Sequence, residues 1–277
     1  MKFIKPKDID NLYDTLDTAE QQYLLAGGTD INVQINNGII RDPNIVYINH
    51  IKELSGIEEE NGQILIGSTT SFKEIIESRI IRRNLLLIHS SLQNFASPLI
   101  QTSATIGGNI ANGSPTADVI PILLALDARL LICSKSNTRE VFLKDFFTGY
   151  KKNIMKNNEL ITKIIINKNA EHKFQTFYKK VGSRNSLAIA KVSVAGIKKV
   201  SQEKIEVIKI AVGSLTEYPR RLFEVEKYVT GKKLTEIDFG KVEELLSSEI
   251  TPISDLRSDK EYRYHVCVNL IRTFLND

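Results

Sequence analysis

Apolar positions recur along this chain at two spacings, and the changes between them mark its elements. "NIVYINHI" (44–51) and "QILIGS" (63–68) are short, rich in β-branched or other apolar residues, and end at polar or glycine positions, which predicts strands. From 70 to 96 the residues Phe72, Ile75, Ile76, Ile80 and Ile81 fall near helical spacing, and Thr70 or Ser71 stands ready to cap the first turn. This segment is expected to be helix in two pieces. "ARLLIC" (128–133), "ELITKIIIN" (159–167), "FQTFYKKV" (174–181) and "KIEVIKIAVGS" (204–214) again predict strands, while "VEELLSSEI" (242–250) and "SDKEYRYHVCVNLIRTFLN" (258–276) predict helices. No fixed-period repeat or low-complexity linker interrupts the pattern. The polar stretch "NKNAEHK" (167–173) is the best candidate boundary, because a mixed first part there gives way to a strand run that ends in helices.

Composition narrows the class without changing this picture. With 277 residues, 42% hydrophobic and 25% charged, the chain is long enough for one large domain or two ordinary ones with a sizeable core. Its 37 basic and 33 acidic residues give a formal +4 with no dense basic block, which argues against nucleic acid or a membrane surface as partner. Cys133 and Cys267 lie far apart and outside any Cys/His cluster, which excludes a disulfide framework, a zinc site and a four-cysteine cluster. The opening residues reach Lys5, Pro6 and Asp8 before an apolar signal region forms, and no stretch approaches the ~18 apolar residues of a membrane span. A cytoplasmic protein is expected.

Chemistry concentrates at two glycine pairs. In "LLAGGTDINV" (24–33), Gly27 and Gly28 follow an apolar run and precede Thr29 and Asp30. Glycines there free the backbone for positive φ or close approach, and the N–H groups of such a turn converge on a space suited to an anion. An ordinary tight turn after a strand gives the same letters. The second pair, Gly107 and Gly108 in "SATIGGNIANGSPTADVIPILLALDARL" (103–130), is ringed by Ser103, Thr105 and Asn109. Neither pair fits the nicotinamide fingerprint or a P-loop. Two glycine walls some eighty residues apart suggest an extended, two-phosphate ligand clasped between them, the shape of a dinucleotide. Asp118 is expected to cap the helix "VIPILLALD", which puts Pro121 at the third helical position where its missing N–H costs little. Beyond capping, a ligand contact by Asp118 stays open.

These residues carry a resemblance. "LLAGGTDI", "ATIGGNIANGSPTADVIPILLALDA" and "FYKKVGSRNSLAIAKVSVA", in this order and spacing, resemble the FAD-binding subunit of the molybdenum hydroxylases, the xanthine dehydrogenase family. "AVGSLTEYPRR", "VEKYVTGKKL" and "DLRSDKEYRYHVCVNLIRTFL" extend the likeness over nearly the whole chain, although "GSLTEYP" departs from relatives that carry a second glycine and a small apolar residue there. The resemblance implies an α+β chain: a vanillyl-alcohol-oxidase-type (PCMH-like) FAD-binding domain over 1–168, itself in two subdomains divided near 55–62, followed by a smaller α/β C-terminal domain of the CO-dehydrogenase flavoprotein type over 169–277. It implies that Leu24, Leu25, Ala26, Gly27, Gly28, Thr29 and Asp30 wrap the pyrophosphate of FAD, and that Ala104, Thr105, Gly108, Asn109 and Asp118 add pyrophosphate and ribose contacts. Phe95 and Ala96 match a position against the isoalloxazine ring, and Ile161 and Lys180 match positions that approach it from the C-terminal half. A core role for Phe95 and a surface role for Lys180 are the plain alternatives. No catalytic or metal-ligating residue is expected in this chain. The family's FAD is expected here as a non-covalent cofactor, with NAD as a candidate acceptor. Partner subunits, one iron–sulfur with [2Fe–2S] clusters and one molybdopterin-binding, complete the implied oxidoreductase. A self-contained FAD oxidoreductase of the same fold is the alternative.

Overall fold

A computed structural model describes residues 1–18, 20–168, 174–184 and 187–277. The first unit is a parallel sheet formed by β1 (Lys2–Ile4), β2 (Tyr23–Leu25) and β3 (Asn44–Tyr47) in the order β1-β3-β2, with α1 (Ile9–Leu16) after β1 and α2 (Ile31–Asn36) after β2. Asp8 caps α1 by accepting from the Asn11 N–H at 2.8 Å, and Leu12 and Leu16 bury against Val46, Ile48, Ile51 and Leu54. The parallel β2-to-α2 connection puts the Ala26–Asp30 turn at the carboxyl end of a strand, the place where open α/β sheets leave room for ligands.

The second unit starts with β4 (Ile57–Glu60) and β5 (Gln63–Gly67) and runs through six helices: α3 (Phe72–Glu77), α4 (Arg79–Asn84), α5 (Leu86–Leu92), α6 (Pro98–Ser103), α7 (Ile106–Asn112) and α8 (Val119–Ala125). It closes with β6 (Arg129–Cys133), β7 (Thr138–Phe142), a small β8 (Phe147–Gly149) and β9 (Lys152–Asn153) ribbon, and β10 (Leu160–Asn167). The five-stranded antiparallel sheet has the order β4-β5-β10-β6-β7, so the apolar run "LITKIII" becomes the central strand and is buried on both faces. The segment expected as two helices from 70 to 96 is three. Ser78 ends α3 and caps α4, and Leu85 adopts a non-helical backbone between α4 and α5. Ser71 starts α3 with a full capping box to Glu74.

The third unit is an antiparallel sheet, β11 (Gln175–Val181), β12 (Val192–Ser201), β13 (Lys204–Gly213) and β14 (Arg220–Arg221), in chain order. On one face lie α9 (Phe223–Val229), α10 (Phe239–Glu249) and α11 (Lys260–Asn276). Alternation along β12 and β13 sends Val192, Val194, Ile210 and Val212 toward those helices, while Ala195, Ile197 and Ala211 join the core of the second unit. There they meet α8, all seven residues of which are buried. β12 is a strand that the pattern of the chain did not single out. Its apolar run is two-sided, so it lacks the alternation that marks a half-exposed strand. The expected boundary at 167–173 falls largely on residues 169–173, outside those described.

Candidate cofactor-binding site

The two glycine segments are direct neighbours. A Cβ on Gly27 would lie 1.7 Å from the Ser103 carbonyl oxygen, so the turn after β2 rests backbone to backbone on the end of α6. Farther along, the Asn112 amide donates to Asp30 Oδ1 at 3.2 Å, tying the start of α2 to the end of α7. The two segments are therefore in direct contact.

They contribute different chemistry to it. Gly28 takes φ +72°, which turns the chain sharply, and no described residue accepts a hydrogen bond from the backbone N–H of Gly27, Gly28, Thr29 or Asp30. The four residues are half-buried, and unpaired backbone N–H groups in such a turn suit an anionic ligand. In the second segment the backbone is already spent. Ile106 N–H donates to Thr70 O at 3.1 Å, Gly107 N–H to Ser68 O at 2.8 Å, Gly108 N–H to Thr105 Oγ1 at 3.2 Å, and Asn109 N–H to Thr105 O at 3.0 Å. What this segment still offers is its side chains: Asn109 Oδ1 is buried with no partner, and Gly108 is exposed with only Thr105 Oγ1 beside it. The expectation of a second backbone wall is corrected accordingly.

Asp118 occupies the position before α8, as expected, yet its backbone is helical and its carboxylate caps nothing. Instead Oδ2 accepts from Lys180 Nζ at 2.5 Å, bringing β11 of the third unit onto the second. Oδ1 is buried and unpartnered. Burial pushes the Asp118 carboxyl above the ordinary range, and the Lys180 ammonium pulls it back. Tyr178, two residues earlier on the same face of β11, has its hydroxyl pushed well up by burial and then by the Asp118 charge. Lys180 is thus enclosed, with 17% of its side chain exposed, rather than one of the surface lysines.

Phe95 packs into the core, its ring 4.3 Å from that of Phe72. Ala96 follows at φ +47°, a conformation that a residue with a Cβ rarely takes, and Gln101 Nε2 holds the Phe95 carbonyl at 2.6 Å. Ile161 is buried on β10, opposite Ile132, beside the irregularity between Ile161 and Lys163. Leu24 and Leu25 are half-buried in β2, and Ala26 packs against the core of the first unit. Ala104 and Thr105 are buried, and Thr105 caps α7.

Residues 1–168 match the family described as the FAD binding domain in molybdopterin dehydrogenase, and residues 176–277 match the CO dehydrogenase flavoprotein C-terminal domain. The chain belongs to this family of FAD-binding subunits. The medium chain of glyceraldehyde dehydrogenase from Sulfolobus acidocaldarius is 32% identical over 243 residues, 87% of this chain and 85% of that one. The xanthine dehydrogenase FAD-binding subunit of Escherichia coli O157:H7 is 28% identical over 258 residues, 93% and 88% of the two chains. Among solved structures, a chain of reconstituted CO dehydrogenase from Oligotropha carboxidovorans superposes with a TM-score of 0.92 at 25% identity, covering 99% of this chain and 95% of that one.

The protein is therefore an oxidoreductase subunit of the molybdenum hydroxylases, a mixed helix-and-strand chain with an FAD-binding domain followed by a C-terminal domain of the CO dehydrogenase flavoprotein type. Its residues fit that cofactor: the free N–H groups at Gly27–Asp30 suit phosphate oxygens, and the orphaned oxygens of Asn109 and Asp118 suit hydroxyl or amide donors. Among the described residues no helix is long and apolar enough to cross a membrane. The tie from Asn112 to Asp30 and the burial of Tyr178 near Asp118 were missed at the sequence level. Asn112 precedes Gly113 and reads as an ordinary helix end, whereas the period-two placement of Tyr178 beside Lys180 was a usable signal.

Proposed function

We propose that this chain is the flavin-holding, electron-relaying subunit of a multi-subunit molybdenum hydroxylase, passing electrons from [2Fe–2S] clusters through FAD to NAD or another acceptor. The observation that carries this reading is the run of unpartnered backbone N–H groups at Gly27–Asp30, set against a second segment in which Asn109 Oδ1 and Asp118 Oδ1 are buried without a donor. The turn from Leu24 to Asp30 would hold the pyrophosphate with its backbone, and Ala104, Thr105, Gly108, Asn109 and Asp118 would flank pyrophosphate and ribose. Phe95, Ala96, Ile161 and Lys180 would border the isoalloxazine end. Bound FAD supplies the chemistry, because it exchanges electrons both singly and in pairs.

The remaining parts belong to other chains. Two [2Fe–2S] clusters require eight thiolates, and this chain has two cysteines, both buried. An iron–sulfur subunit and a molybdopterin-binding subunit are the partners in a cytoplasmic complex, and the substrate is oxidised on the latter. The division into an FAD-binding domain over 1–168, with subdomains parted near 55–62, and a C-terminal domain over 169–277 belongs to the same proposal. Mild purification from the native host should bring down one small iron–sulfur protein and one large molybdenum protein with this chain. Expressed alone, the chain should hold FAD and fail to oxidise purines or aldehydes. Full hydroxylase activity from the lone chain would replace the relay with a self-contained oxidoreductase.

A further inference from the structure

The last residue of the turn that ends α8, Asp127, contradicts its local setting. It takes φ +50° just past a helix C-terminus, where glycine or asparagine is the usual occupant, and it places a carboxylate at the negative end of the helix. Backbone and dipole both argue against aspartate here. What holds it are two cations of the C-terminal sheet: Lys209 from β13 and Arg221 from β14 both contact its carboxylate. Arg221 is itself fixed by buried Glu226, with Nε donating to Oε1 at 2.9 Å and Nη2 to Oε2 at 2.5 Å, while Glu226 Oε1 also accepts the Ile210 N–H at 2.7 Å. The guanidinium is thus oriented before Asp127 meets it.

At the other end of α8, nine residues and about 14 Å away, Asp118 takes Lys180, and the Ser214 N–H donates to Pro115 O at 2.8 Å. Both ends of one buried helix are therefore clasped by cations of the same sheet, and the apolar surface between them has no directional preference of its own. Ala195, Ile197 and Ala211 supply the sheet's side of that apolar contact. Directional contacts at the two ends set the register.

We propose that Asp127 is a positioning residue for the cofactor site: by holding Arg221 and Lys209 at the far end of α8 it fixes the sheet that carries Lys180, and so places the Lys180 ammonium beside Asp118. The inference rests on the FAD reading above, and it assigns a task to a residue that touches no part of the proposed site.

A double-mutant cycle read by FAD affinity tests it, using the lone chain, flavin-fluorescence titration and thermal unfolding. Asp127→Asn and Asp127→Gly both tolerate positive φ, so either variant keeps the backbone geometry while removing the charge. Each should weaken FAD binding about tenfold, the coupling usual within one polar network. In a Lys180→Ala background the same substitutions should change FAD affinity less than twofold, because the group they position is gone. A purely structural Asp127 would lower the melting temperature and leave FAD affinity alone, or would weaken binding equally in both backgrounds. Either result overturns the proposal. Failure of the wild-type chain to bind FAD at all would instead overturn the reading on which it rests.

Discussion

Replacing Gly27 by alanine tests the contact on which the site is built. The added methyl would lie 1.7 Å from the Ser103 carbonyl oxygen and 2.6 Å from its carbon, and neither atom belongs to a side chain that can turn away. Restoring ordinary contact requires the two backbones to part by about 1.5–2 Å. Overpacking typically costs 1–3 kcal/mol, and a clash with backbone on both sides sits at the upper end, about 3 kcal/mol. Gly28→Ala is milder. It places a Cβ at φ +72°, worth about 1–2 kcal/mol, and its nearest neighbour is the movable amide of Asn32 at 2.6 Å. Gly108→Ala sits on an exposed helical position beside Thr105 Oγ1 at 2.8 Å, where a propensity gain of up to about 1 kcal/mol is set against a disturbed cap of similar size. Urea unfolding of the chain without flavin should rank the losses Gly27 first, Gly28 second and Gly108 near zero. FAD titration should rank them differently: Gly108→Ala should weaken binding despite its intact stability, because that glycine faces outward from the second segment. A Gly27→Ala chain as stable as Gly28→Ala would refute the described contact between the segments.

Further expectations concern charge and ligand. Arg139 grips Glu159 with Nε at 3.1 Å and Nη2 at 2.9 Å, and these hydrogen bonds hold the nearly enclosed carboxyl below the ordinary range. A carboxyl held low in the folded state adds stability above its unfolded value and loses it as pH falls through the folded value. Glu159→Gln should therefore cost about 1–3 kcal/mol at neutral pH, and its deficit against wild type should shrink as unfolding is repeated below pH ~4; a constant deficit would contradict the assignment. FAD should bind more tightly than FMN, since the proposed site gives the adenylate half its contacts with the second segment, and equal affinities would remove that segment from the site. The flavin should be non-covalent, because neither glycine segment contains His, Cys or Tyr, and acid precipitation should leave all yellow colour in the supernatant.

Much of this was legible from residues close in sequence. The strands β5, β10 and β13 show as apolar runs ended by glycine or asparagine, and a hydroxyl cap at Thr70 or Ser71 shows ahead of α3, where the structure uses Ser71. Local signals failed where partners come from far away. Asp118 reads as a helix cap because capping is a four-residue relation, whereas its actual partner, Lys180, lies 62 residues on. Both glycine pairs read as backbone walls, yet the second is consumed by Ser68, Thr70 and Thr105, two of them more than thirty residues upstream. Asp127 was visible only as a helix-end aspartate, and nothing nearby names Arg221, 94 residues later, as the reason for it.

The complete burial of α8 also bears on how such chains can be recombined. Its covering comes from the core of the second unit on one side and from Ala195, Ile197 and Ala211 on the other. A chimera that joins residues 1–168 of this chain to the C-terminal portion of a relative would pair a helix with a sheet that never accommodated it. Enlarging Ala195 or Ala211 calls for a matching loss of volume on α8. The stretch that a breeder of chimeras must transfer with the C-terminal sheet includes residues 115–127, although it lies within the sequence of the preceding portion. Inheritance in this fold follows the helix, not the seam in the chain.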